Sequence, residues 1–302
     1  MKTRLVGRLL SRDAVVKLGL ITATAVGTAI VVSALGLHFP LRDIVRPLLL
    51  TAVLWAVARY YLGRGVQKFV LCTSSLAYLV MFCASFVVLM YALAATRRPL
   101  IDEQLLRVDH RLGFQLPELL AWMKSHPLLD RVLAVAYDTL LPQTILVIAV
   151  LGFRADNDAL RKFILRFMVC ALVTVILFCL LPALGPFAAA GSSPNATQIR
   201  TLEQLQAMRS GARTTVTWRD AEGLITFPSF HTIWAILMAL AYRRHRIQFA
   251  FFGALNALVI VSTLTTGWHY LSDVLGGVVA CFLVLTSLRP LEKWVYAPPT
   301  TG

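Results

Sequence analysis

The 302-residue chain is 58% hydrophobic, has a mean hydropathy of +0.72 and carries a formal net charge of +14. Apolar runs of membrane-spanning length recur along it, which excludes a soluble one- or two-domain protein and points to an all-α, multi-pass transmembrane bundle. The basic residues fall in short clusters between those runs and not along one polar face, so they read as topology determinants and contacts for anionic lipid, and nucleic acid is not an expected partner.

The first expected crossing is Val15 to Leu37, preceded by Lys2, Arg4, Arg8 and Arg12. It is longer than a signal-peptide core and no small-residue cleavage site follows, so it reads as retained. A second crossing is expected from Ile44 to Leu62 and a third from Phe69 to Ala95, with Arg59, Arg64 and Lys68 between them. From Thr96 to Arg131 no run is long enough to span. There Leu105, Leu106, Val108, Leu112 and Phe114 alternate with Arg107, Asp109, His110 and Arg111, and Gly113 and Pro117 break the segment, so short amphipathic helices lying in the interface are expected, with solvated charges and no chemistry. The fourth crossing, Val132 to Phe153, carries Asp138. A carboxylate left in hydrocarbon costs at least about 2.5 kcal/mol, which makes Asp138 a candidate substrate-binding residue.

A fifth crossing, Phe163 to Pro186, follows Arg154, Arg161 and Lys162. The polar segment from Phe187 to Thr226 is long enough to be either functional or disordered, and it ends where it can cover a site opened by Pro228. Its Arg213 and Arg219 are candidate substrate-binding cations, although solvated surface charge is the plainer reading of either one alone. The sixth crossing runs from Pro228 to Arg243, the seventh from Ile247 to Thr266, and the eighth from near His269 to just before Arg289. Gly276 and Gly277 in the last would admit a close neighbouring helix. All five cysteines lie in apolar runs without Cys-x-x-Cys spacing, as small core residues do.

Chemistry concentrates between Phe227 and Asp273. Pro228 suits a first helical position, so the amides of Ser229, Phe230 and His231 are expected at a helix N-terminus, an end that binds phosphate. His269 and Asp273 are four apart; on a helix they share a face, and the carboxylate can take the imidazole Nδ1–H and leave Nε2 as a lone pair. An imidazole so oriented is a nucleophile or a general base. One basic turn, Arg243 to Arg246, with a crossing on each side brings His231 and His269 to the same face of the membrane. Either histidine alone reads equally well as a polar residue at a helix end; the pair together with Asp273 favours a site.

Pro228-Ser229-Phe230-His231, followed by Ser262, His269 and Asp273, resembles the second and third motifs of the type-2 phosphatidate phosphatase and vanadium haloperoxidase superfamily. Phe-Pro-Ser-x-His with His-Tyr-x-x-Asp is most similar in form to the branch containing inositol phosphorylceramide synthases. The resemblance implies that His269 attacks phosphorus, Asp273 orients it, His231 protonates the leaving oxygen, and Ser229 with Phe230 helps hold the substrate. Two departures stand out: Ser262-Thr263 replaces a Ser-Arg pair, and no lysine followed by Arg-Pro precedes Pro182 or Pro186. Other cations must then serve, or the bound group carries less charge, as a phosphodiester does.

The implied function is an integral-membrane phosphotransfer enzyme acting on lipid phosphates or phosphodiesters through a phosphohistidine, with no cofactor and no metal. Its partners would be a membrane lipid and, for transfer, an alcohol or sugar acceptor. The alternatives are a headgroup transferase and not a hydrolase or, in another class, a catalytically inactive lipid-binding or transport protein on the same scaffold. Vanadate-dependent haloperoxidase chemistry suits so lipid-embedded a chain poorly. Residues 1–66 would add two helices to a six-helix core of 67–290, with 291–302 as a tail. Counting crossings puts both termini and the short basic turns in the cytoplasm and both histidines outside, as in a bacterial inner membrane.

Overall fold

The computed structural model describes residues 11–188, 194–217 and 223–297. Among these the chain is a bundle of thirteen α-helices, with one isolated bridge between His38 and Thr215. Three long helices come first: α1 (Arg12–Ala34), capped by Ser11 on the Ala14 amide, α2 (Leu41–Gly63) and α3 (Gln67–Ala94). Short helices α4 (Asp102–Arg111) and α5 (Leu116–Lys124) follow, in the segment expected to lie in the interface.

The expected fourth crossing is two helices, α6 (Pro127–Asp138) and α7 (Leu140–Phe153), bent by 50° at their junction. Pro142 supplies the cause: it has no N–H to give the Asp138 carbonyl, and its ring presses on that carbonyl. Helix α8 (Asn157–Leu180) stops before Pro182, six residues short of the expected end, and residues 181–185 become loop, followed by a short 3-10 turn at Pro186–Ala188. The segment expected as loop holds α9 (Ala196–Ser210), opened by an Asn195–Gln198 capping box and closed by Gly211 at φ 82°. Then come α10 (Phe230–Ala241), α11 (Arg246–Thr265), α12 (Leu271–Ser287) and, after a 44° bend, α13 (Arg289–Val295).

Helices α1, α2, α3, α8 and α11 are each long and apolar enough to cross a membrane, and the two bent pairs bring the number to seven. The expected sixth crossing, α10, has twelve residues and is not among them. At 1.5 Å per residue it is about 18 Å long against about 30 Å of hydrocarbon. This is a multi-pass membrane protein. Its core is α8, whose Leu160, Ile164, Leu165, Met168, Ala171 and Val175 are wholly buried, packed among α3, α7, α10 and α12. The first two helices lean on α3 and turn Ile30, Leu49, Leu50 and Val53 outward to lipid.

The basic turns meet at one end of the bundle. Arg12 donates to the Trp294 carbonyl and Tyr296 to Asp13, which joins α1 to α13. Arg244 pairs with Asp156 and Asp158, His245 reaches Asp156, and Arg166 grips Glu292 through two bonds of 2.6 and 2.8 Å. The turn before α3 belongs to the same end, since Lys68 and Phe69 pack on Phe153.

Candidate active site

At the opposite end, the turn between α11 and α12 and the start of α10 face each other. His269 Nδ1 lies 3.3 Å from Asp273 Oδ2, and His269 Nε2 lies 3.5 Å from His231 Nδ1. His269 is not helical, as had been expected: α12 begins at Leu271, and His269 precedes its cap. It reaches Asp273 from outside the helix, while the same Oδ2 takes the Tyr270 amide at 2.9 Å. The His269 amide is fixed by the Thr263 carbonyl. Both side chains are deeply buried, at 2% exposure for His269 and none for Asp273.

Burial lowers the His269 pKa from 6.5 to about 4, with a bond to the Thr226 backbone opposing the shift, so the imidazole is neutral; in the tautomer with its proton on Nδ1 toward Asp273, Nε2 is the lone pair. A cavity of about 230 Å³ opens on the two rings, walled by Tyr137, Leu184, Phe187, Gly223 to Thr226 and Trp268. Tyr137 stacks on His231 with centroids 4.7 Å apart and planes 23° from parallel. The walls are tied down by α4. Asp102 accepts the amides of Leu184 and Gly185 and the Tyr270 hydroxyl, and Asp109 accepts those of Leu271 and Ser272 at 2.8 Å each. Gly185, at φ 104°, admits no side chain because a Cβ would lie 2.8 Å from the Phe187 ring.

Several expected site residues sit elsewhere. Pro228 is not at a first helical position; Ser229, in extended backbone, caps α10, its hydroxyl accepting from the Thr232 amide and hydroxyl and its own amide bound to the Asp273 carbonyl. Wholly buried and so engaged, Ser229 does not line the cavity. Phe230 points into the core against Phe86, Phe167 and Trp234. Asp138 is exposed, on the far side of α6 from Tyr137. Arg213 gives its Nε to the Thr215 carbonyl beside His38, away from the cavity, and Arg219 lies outside the described residues. Among the described residues no lysine or arginine lines the cavity. Ser262 and Thr263, where the resembled family has Ser-Arg, are buried with their hydroxyls bonded back to Val259 and Ile260.

Of the α4 charges, Glu103, Arg107, His110 and Arg111 are exposed as expected, but Asp109 is not: it is 2% exposed because the orphan amides of α12 require an acceptor in a dry place. Helical spacing held the clue, since Asp109 follows the buried Leu105 by four residues.

No curated protein and no solved structure matches the chain. A family match does extend from residue 103 to residue 287, more than half of its length, and takes in both histidines, Asp273 and Asp109. With that stretch matched and those side chains brought together, the chain belongs to the PAP2 superfamily, whose members hydrolyse or transfer phosphate esters.

Proposed function

We propose that the protein transfers a phosphoryl or phosphodiester group from a membrane lipid through a phosphohistidine on His269, at the extracytoplasmic face. The observation that carries this reading is the buried chain Asp273–His269–His231 at the floor of a cavity. Asp273 holds Nδ1–H, so Nε2 attacks phosphorus; a P–N bond forms as the P–O bond to the lipid alcohol breaks. The substrate's negative charge favours a proton on His231, which passes to the departing oxygen. Attack by water or a second alcohol, deprotonated by His231, then frees His269. The two ring nitrogens, 3.5 Å apart, must part to admit the group. The positive end of α10, which opens at His231, stabilises the equatorial oxygens.

Gathering of the basic turns at the opposite end supports a cytoplasmic position for that end and an extracytoplasmic one for the cavity. The aromatic, uncharged lining among the described residues favours a monoanionic phosphodiester, and with it transfer to an alcohol of the inositol phosphorylceramide synthase kind. Purified protein given headgroup-labelled phospholipid should release or transfer the label, and His269→Ala and Asp273→Asn should lose at least about 10³-fold in rate while keeping the wild-type melting profile. Equal rates in wild type and His269→Ala would end the proposal.

A further inference from the structure

A second cavity, of about 510 Å³, adjoins the first, and Phe187 walls both. Phe187, the residue common to both linings, stands edge-on to Trp268 of the first cavity at 5.1 Å. One wall is apolar, formed by Leu106 of α4, Phe114 of the turn and Leu116, Leu120 and Met123 of α5.

The facing wall is polar: several of its groups are already engaged, while the exposed Lys124 and Asp130 also line the cavity. Asn195 Oδ1 takes the Gln198 amide, Gln198 Nε2 donates to the Thr266 carbonyl, and both Asp109 oxygens hold amides of α12. The apolar wall therefore offers dispersion and desolvation to a hydrocarbon chain. The helices around it also turn apolar side chains outward: Leu112 is 55% exposed, Trp122 49%, Leu128 76% and Val135 62%. A surface of that kind meets lipid.

We propose that this second cavity receives an apolar chain of the lipid whose phosphate reaches His269, entering beside α5 and passing Phe187. This rests on the phosphotransfer reading for the substrate's headgroup, and on the cavity alone for its chain. A chain so held would anchor the substrate while its phosphate stays in the aromatic pocket, and it makes α5 a determinant of chain-length preference.

The test uses the full-length protein in vesicles containing a diacyl phosphodiester lipid, phosphatidylglycerol, with a photoreactive diazirine on one acyl chain. Label is expected on Leu106, Leu120 or Ala121 in wild type and equally in His269→Ala, and it should fall about tenfold in Ala121→Trp, the equivalent of two buried methylenes. In turnover, Leu120→Trp and Ala121→Trp should lower kcat/KM for the long-chain phosphodiester by a similar factor and leave a short-chain soluble phosphodiester unchanged. Label confined to Leu112, Trp122 and Leu128 would overturn the chain site, as would equal losses on both substrates. Labelling of the lining without any turnover would sustain the chain site and sink the phosphotransfer reading; turnover abolished by His269→Ala with chain preference intact in Ala121→Trp would do the reverse.

Discussion

His269 and Tyr137 show what single side chains contribute. The folded pKa of His269, about 4, is below 6.5 because burial disfavours the cation. The unfolded chain takes up that proton as the pH drops below 6.5, whereas the folded chain does so only near 4. Stability from this group is therefore complete above 6.5 and is lost as the pH falls through 4. A neutral imidazole is also the attacking form, so the acid limb of kcat/KM should fall near pH 4; a limb at 6.5 in a pH profile with a soluble ester would contradict the buried, neutral state. Tyr137 acts through its ring, which stacks on His231. Tyr137→Phe should keep turnover within about twofold, while Tyr137→Leu should lose about tenfold, the upper range of an aromatic contact. The sequence drew attention to Asp138, one residue further on. Helix phase explains the miss: Val132, Val135 and Asp138 share the exposed face of α6, and Leu133, Ala136 and Leu140 the buried one.

Between elements, the decisive contact is α12 against the start of α10. A Cβ on Gly277 would lie 2.7 Å from the Ser229 carbonyl oxygen and 3.1 Å from Thr232 Cβ, so the two helices touch there through backbone. Gly277→Ala should force them apart, stretch the Ser229 amide bond to the Asp273 carbonyl and cut turnover by at least about tenfold. Gly253→Ala, with nothing within 4 Å, is the matched control and should be silent. The glycine pair was legible as a close approach, and so were the two histidines, because motif spacing and a basic turn fix which helix ends coincide. The roles of Asp102 and Asp109 were not. Their partners lie 82 to 168 residues further along the chain, and an amphipathic pattern says only that one face is polar, not that another element's orphan amides will claim it.

Taken whole, the molecule keeps its charge clamps at one end and its candidate phosphate site at the other. Arg166 and Glu292, at 14% and 9% side-chain exposure, tie the central α8 to α13. Glu292→Gln leaves a half-buried guanidinium without its counter-charge and should destabilise the fold by about 3 kcal/mol, seen as a lower Tm, with little change in kcat for the molecules that remain folded. The order of the spans was readable from apolar runs, but eight were expected where five helices and two bent pairs are long enough to cross, and the bend at Pro142 was hidden because it lies in a stretch whose hydropathy is uninterrupted. Shortness was missed in the same way: a run from Pro228 to Arg243 looks like a span until Ser229 is seen to cap it. Helix α10 leaves about 12 Å of hydrocarbon depth unfilled. A headgroup must therefore sink into a trough beneath its neighbours to meet His231, or the leaflet must dimple over it. Host-membrane thickness becomes a control on rate, and a fixed lipid ester diluted into hosts of increasing acyl length should be turned over progressively more slowly.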